Sequence, residues 1–329
     1  MLADMIQRLF ERSLGDAAQS EAREGKWLPA LWAEVEEMGL PLALLSEEQG
    51  GFGLAPADQG EALRLLGHLA VPLPVAETMA ANRLLAEAGL PLAEGAAGLA
   101  RADDLTLADG RLSGTVHRVA WGENLDCLTL AVGNTLYRVP RNGWTRAEPG
   151  TALNFHPRPS LAIDWVVDAS APLPHDPLAE GATVRAFQIA GALEAALDLT
   201  LEHTATRVQF GKPLQKNQVV QHELAKLAGE LACATAAADL AAEALARGDL
   251  RGVAAGSLRG REAAGNGASI ATQMHGAIGF TREHPLHLFT TALWTWRDEF
   301  GGQVFWATLL GRAAMAAGEE GYWPMVTEL

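Results

Sequence analysis

Two changes of hydropathy period predict a mainly α fold with a small central β domain. Apolar residues recur at helical spacing over residues 1–95, alternate over 96–178, and return to helical spacing over 179–329. These ranges define an expected N-terminal helical domain, a small β domain and a C-terminal helical bundle. The last range has long, alanine-rich stripes joined by short turns, the pattern of an antiparallel four-helix bundle.

The elements follow in order. Residues 1–10 read as a short amphipathic helix with no apolar signal core. Trp27, Leu31, Trp32, Val35 and Met38 form one helical stripe, which Gly39 ends. Ser46 to Gly53 is a glycine-rich loop, followed by helices over 57–69 and 76–88. Leu105, Leu107, the Asp109-Gly110 pair, Leu112 and Val116 predict a hairpin. Residues 127–132 and 135–139, flanking Gly133-Asn134, predict a second, and 163–167 a fifth strand. Pro172, Pro174 and Pro177 are expected to form a hinge. Phe187, Ala190, Leu193, Leu197 and Leu201 open the bundle; Val219, Leu224, Leu227 and Leu231 continue it. Stretches 252–274, 284–296 and 300–315 complete it.

Composition excludes several functions. Asp plus Glu is 40 against 25 Lys plus Arg, a net charge of −15, so a general nucleic-acid binder is not expected. An anionic ligand would need a local cationic patch. No uncharged run is long enough to span a membrane. Cys127 and Cys233 form no ligand or disulfide spacing; no metal ligands are assigned, and a cytoplasmic location fits.

Two polar turns stand out. Arg207 to Leu214, with Gln218 and His222, separates two apolar helices. Gln273 to Arg282 ends an alanine-rich helix with amides, small residues and a guanidinium. Arginine forks bind phosphate oxygens in a bidentate, charge-assisted way. Taken alone, Arg207 reads as one half of a surface ion pair with Glu202 and Gln273 with Gly276 as a helix cap, while Phe210 reads equally as core packing. His222 reads as a core histidine; Trp294 reads as core packing and His284 and His287 as surface residues, with the lining of a substrate pocket as the other reading of these three.

Taken together and in order, these motifs resemble the acyl-CoA dehydrogenase family. Trp32, Met38-Gly39-Leu40 and Ser46 to Gly53 are similar to the family's N-terminal helix and its P-E-x-x-G-G-x-G loop, with Ser46 at the proline position. Arg207 to Leu214 resembles R-x-Q-F-G-x-P-I/L, and Gln218 with His222 the following Q-x-x-x-H. Gln273 to Glu283 resembles Q-x-H-G-G-x-G-Y/F-T-x-E, with Ala277 at the second of the paired glycines. The resemblance implies an FAD site in which Arg207 grips the pyrophosphate, Phe210 packs along the cofactor, Gln218 and Gln273 supply amide hydrogen bonds, and Gly276 admits close backbone approach. It also implies an acyl-CoA substrate, a homo- or hetero-oligomer in which these groups serve a neighbouring subunit's FAD, and an electron-transfer flavoprotein as acceptor.

The family reaction removes an α proton with a carboxylate while flavin takes the β hydride, giving an α,β-dehydrogenated thioester. Two departures bear on it. The family's usual base lies in a Y-E-G-T loop; counting by family spacing from Pro285 reaches Phe300, which leaves Glu299 one position early. The other family position for a base, around Ala182 to Ala186, has no carboxylate, and Glu194 lies further along. The T-E-P-x-x-G-S-D and W-x-x-N segments that line the flavin ring are missing: 88–105 runs from the helices straight to the first hairpin, and Arg118 to Trp121 only partly resembles the later strand. Three readings follow. Glu299 is the base; or the chain is a reduced partner in a heteromeric dehydrogenase, as in relatives acting on bulky CoA esters such as steroid side chains; or it is a non-catalytic homologue. Against the first, Glu299 also reads as a solvated charge beside Arg297.

Overall fold

The computed structural model describes residues 2–209 and 211–327, apart from the Asp16 side chain. The N-terminal helices are α1 (Leu2–Ser13), α2 (Asp16–Arg23), α3 (Pro29–Glu37), α4 (Pro56–His68) and α5 (Val75–Glu87). Pro29 occupies the first turn of α3, where its missing N–H has no partner to lose. The loop after α3 is pinned by a capping box: Ser46 Oγ accepts from Gln49 N, and the Gln49 side chain accepts from Ser46 N.

Two four-stranded sheets follow, in orders β1-β4-β5-β8 and β2-β3-β7-β6. Their strands are β1 (Ala97–Arg101), β2 (Thr106–Ala108), β3 (Arg111–Val116), β4 (Cys127–Val132), β5 (Thr135–Pro140), β6 (Trp144–Glu148), β7 (Ser160–Val166) and β8 (Ser170–Pro172). Asp109 and Gly110 both take positive φ, 50° and 72°, the geometry of a two-residue hairpin turn joining β2 to β3. Alternating burial along β7 sets Leu161, Ile163 and Trp165 inward and Asp164 and Val166 outward.

Three sequence expectations are corrected here. Residues 88–105 contain β1, which pairs parallel with β4; Ala97 to Ala100 are all buried, so no alternation marks the strand. The proline-rich stretch expected as a hinge begins with β8, an edge strand, where proline costs no ladder bond. Arg118 and Trp121 have φ of 56° and 58°, and their stretch is a turn rather than a strand. Trp121 is buried there, edge-on to Trp27 and tilted against His156.

The C-terminal elements are α6 (Pro177–Thr206), the ribbon β9 (Val208–Gln209) and β10 (Lys212–Pro213), α7 (Gln218–Ala246), α8 (Leu250–His275), α9 (Leu286–Trp296) and α10 (Gln303–Thr327). Small residues let these helices approach. A Cβ on Gly256 would stand 2.4 Å from the Ala237 carbonyl oxygen, so only glycine fits where α8 meets α7. Ala190, Leu193, Ala196, Leu227, Ala264, Ala268 and Leu293 form the core, with Trp294 packed at its margin. The sequence pattern ends the last helix near 315, but α10 continues to Thr327 through a kink at Gly318.

The chain divides into two compact units, residues 1–62 with 71–184, and residues 63–70 with 185–329. The boundary expected at residue 95 falls inside the first of these units. Thr78 Oγ1 on α5 accepts from Ala97 N at 3.0 Å, and the Asn82 side chain bridges Pro41 O and Ala93 N. The first unit also buries a charge cluster. Glu180, fully buried, accepts from Arg83 Nε at 2.9 Å and bonds His175 Nε2 at 2.7 Å, while His175 Nδ1 meets Glu87 at 3.1 Å. Burial alone would lower the His175 pKa, but its bonds to Glu180 and Glu87 outweigh that and raise it to about 9.

Candidate functional site

All of the following lies in the second unit. α6 ends at Thr206, and the chain leaves it through Arg207 into the β9–β10 ribbon. The ribbon pairs Gln209 with Lys212 and Val208 with Pro213. Leu214 N then donates to Arg207 O at 2.9 Å, closing the loop on the residue that opened it. Asn217 caps α7, its side-chain oxygen accepting from Val219 N at 3.2 Å. On the other side, Gly276 ends α8 with φ 65° and ψ −140°, a conformation essentially reserved for glycine.

These two helix ends border one cavity of about 580 Å³, lined by His203, Arg207 and Gln209 from the first and Gln273, His275 and Gly276 from the second. Arg207 and Gln273 are exposed, and among the described residues neither side chain has a hydrogen bond or an ion pair. The expected pair with Glu202 therefore does not form. A Cβ on Gly276 would meet nothing within 4 Å, so the missing side chain leaves cavity space open.

Three of the five expected cofactor contacts, Arg207, Gln273 and Gly276, thus come together. Gln218 does not join them; it is the first residue of α7 and exposed. Phe210 lies outside the described residues. His222, expected in a core, is exposed, because it falls on the outer face near the start of α7. His287, expected at the surface, is buried, with Nδ1 bonded to His284 O at 2.7 Å.

Glu299 occupies a different environment. It follows α9 in a loop whose carbonyls are gathered by Arg261: Nη1 donates to Trp296 O at 3.1 Å, and Nη2 to Glu299 O at 2.7 Å and Phe300 O at 3.2 Å. Trp306 Nε1 adds a bond to Phe300 O at 3.1 Å. Burial lowers the Arg261 pKa to about 10, so the guanidinium remains a cation at neutral pH. The Glu299 carboxylate is itself buried, and its Oε2 takes Arg185 Nε at 2.7 Å and Nη2 at 2.6 Å. Arg185 is in turn packed between the rings of Trp296 and Phe300, with Cζ 5.6 and 5.4 Å from their centroids. The sequence reading of Glu299 as a solvated charge beside Arg297 is corrected: its partner is Arg185, 114 positions earlier, which no local pattern reveals. Glu194, the other carboxylate considered, is paired with Arg64 and lies 3.3 Å from His68.

Sequence reasoning missed one cluster. His203, His275 and His284 place their ligand atoms within 4.8 Å of one another. Only His275 lies inside a recognised motif, and the spacing along the chain is too long to signal a shared site.

Comparison with known proteins agrees with this layout. The family "Acyl-CoA dehydrogenase, C-terminal domain" matches residues 174–295. The "Acyl-CoA dehydrogenase IpdE2" of Mycobacterium tuberculosis is 30% identical over 294 residues, covering 88% of each chain. Among solved structures, one described as the Tcur3481-Tcur3483 steroid ACAD superposes with TM-score 0.85 at 24% identity, over 97% of this chain and 98% of that one. The ChsE4-ChsE5 complex from Mycobacterium tuberculosis gives 0.79 at 22%, over 96% of both chains. With near-full-length similarity added to the element order and the cavity, the chain belongs to the acyl-CoA dehydrogenase family.

Proposed function

We propose that this chain is the FAD-gripping subunit of a heteromeric acyl-CoA dehydrogenase, in which a second polypeptide contributes the catalytic base. The observation that carries this reading is the cavity where Arg207, Gln273 and Gly276 meet, with the side-chain polar groups of Arg207 and Gln273 unpaired among the described residues. The residues fit a dinucleotide. An unpaired guanidinium can fork onto phosphate oxygens, an unpaired amide can bond a ribose or a base, and Gly276 keeps the wall open to close approach. Bound FAD supplies the acceptor for the β hydride of an acyl-CoA thioester whose α proton is taken by a carboxylate. This chain's residues bind and orient the anionic part of the cofactor.

The base is assigned to a partner because of how Glu299 is held. A general base needs a lone pair facing the proton it removes. The Glu299 carboxylate is buried, and both short contacts to its Oε2 come from one guanidinium. The role that fits Glu299 is to hold Arg185 and the loop in place. A partner chain is further supported by α10, where Val304, Met315, Tyr322 and Trp323 are 81, 77, 51 and 69% exposed, an apolar display that calls for cover. The names of the similar structures, a steroid ACAD and a two-protein complex, favour a bulky, steroid-derived CoA ester and a hetero-oligomer. Electron-transfer flavoprotein is the proposed acceptor. Among the described residues, no helix is long and apolar enough to cross a membrane.

The test is a visible spectrum of the chain purified alone and after co-expression with a full-length family member from the same organism. A flavin band that appears only on co-expression, and that an acyl-CoA then bleaches, is the expected result. A band bleached in the chain alone would overturn the partner assignment and favour Glu299 as base. A colourless protein in both preparations would overturn the flavin reading altogether.

A further inference from the structure

The three histidines beside the cavity carry an inference that neither the family nor the proposed flavin role supplies. They come from three elements: His203 from the last turn of α6, His275 from the end of α8, and His284 from the turn before α9. The His203 and His275 rings stack with centroids 4.4 Å apart, and His284 stands 4.6 Å from His275 at 61°.

His275 is the anchor. Its Nδ1 donates to Ala271 O at 2.8 Å, which fixes the tautomer and leaves the lone pair on Nε2. That Nε2 is buried and makes no hydrogen bond among the described residues, in a residue only 6% exposed. The Leu199 backbone also faces the ring without closing a hydrogen bond to Nε2. A buried nitrogen without a partner is costly unless something else occupies it. A backbone carbonyl holding the far nitrogen is the arrangement that orients histidine ligands in metal sites. We infer that His203, His275 and His284 bind a divalent transition-metal ion, zinc by preference, on the wall of the Arg207 cavity.

The chemistry and geometry suit such an ion. Three imidazoles are a common zinc set, and the fourth position is then open to water or an anionic oxygen. Burial lowers the pKa of all three rings, that of His275 to about 4, so their lone pairs are available at neutral pH. Around a tetrahedral zinc the nitrogens must stand about 3.3 Å apart, closer than the present spread of up to 4.8 Å. His203 and His284 are half-buried and can swing in, while His275 stays fixed. His284 gives something up: its Nδ1 accepts a 3.2 Å bond from Leu286 N, which places the proton on Nε2, so that bond must break and the proton move to Nδ1 if Nε2 is to ligate. The nearby charges oppose each other, since Glu202 favours a cation at His284 and Arg207 disfavours one at His203.

The experiment is equilibrium dialysis of the tag-free full chain against zinc chloride. One equivalent should bind, and His203→Ala and His284→Ala should each weaken it at least about tenfold, while His222→Ala, at an exposed histidine outside the cluster, leaves it unchanged. Long-range proton–nitrogen imidazole spectra of the unmodified chain provide a second reading that depends on no variant. Zinc should shift three of the nine histidines together. No bound equivalent, affinity unchanged in both cluster variants, or shifts spread over the exposed histidines would each overturn the inference.

Discussion

The Arg207 cavity and the Glu299 loop are both polar turns at the ends of apolar helices, and they treat their charges in opposite ways. At the cavity, Arg207 and Gln273 are exposed and have no partner among the described residues. At the loop, Arg185, Arg261 and Glu299 are buried and bonded to one another or to backbone carbonyls. A free polar group beside a cavity is available to a ligand. A group whose bonds are made internally is available to the fold. The difference separates two residues that sequence motifs alone would place in the same active site.

The largest effect expected from this contrast is on stability. Removing one member of a buried, bidentate ion pair strands the other charge, so Glu299→Ala should destabilise the chain by about 3–5 kcal/mol in urea denaturation. Replacing both, as Arg185→Met with Glu299→Leu, should cost less than the single change, because no charge is then left unpaired. A Glu299→Ala variant as stable as the parent would remove the basis for a structural role.

The His175 cluster extends the contrast to pH. Its folded pKa of about 9 lies above the ordinary histidine value of 6.5, so the stability it contributes is full below pH 6.5 and is lost as pH rises through 9. The loss should be on the order of 3 kcal/mol between pH 6 and pH 10. His175→Gln should flatten that slope in denaturation series taken across the range. An unchanged slope would mean that His175 is not the group responsible. Glu180 acts in the opposite direction: its carboxylate is held below its usual pKa by Arg83 and His175 despite burial, so its contribution is lost as the solution is acidified.

What the sequence makes legible follows the same division. Both hairpins are readable because Asp109-Gly110 and Gly133-Asn134 are local turn signals with a local cause. Arg207, Gln273 and Gly276 are readable because motif order carries them, and the fold places all three on one cavity. β1 is not, since a strand buried on both faces loses its alternation. The Arg185–Glu299 pair and the three-histidine cluster are not, because each is assembled from distant positions by helix packing. The exposure of His222 and the burial of His287 escape the sequence for a related reason: one histidine gives no helical phase by itself.

The smallest effect on stability, and the most direct test of the account, lies at Arg207. Its side chain is exposed and unpaired among the described residues, so Arg207→Ala should leave the unfolding midpoint within about 0.5 kcal/mol of the parent. In the co-expressed, flavin-loaded protein, the same change should weaken FAD binding about 10- to 100-fold, the worth of a charge-assisted bond to phosphate. The measurement is FAD affinity by fluorescence titration of the stripped assembly, parent against variant. Weaker binding with unaltered stability is the predicted result. Equal FAD affinity in the two proteins would contradict the assignment of this cavity to the cofactor.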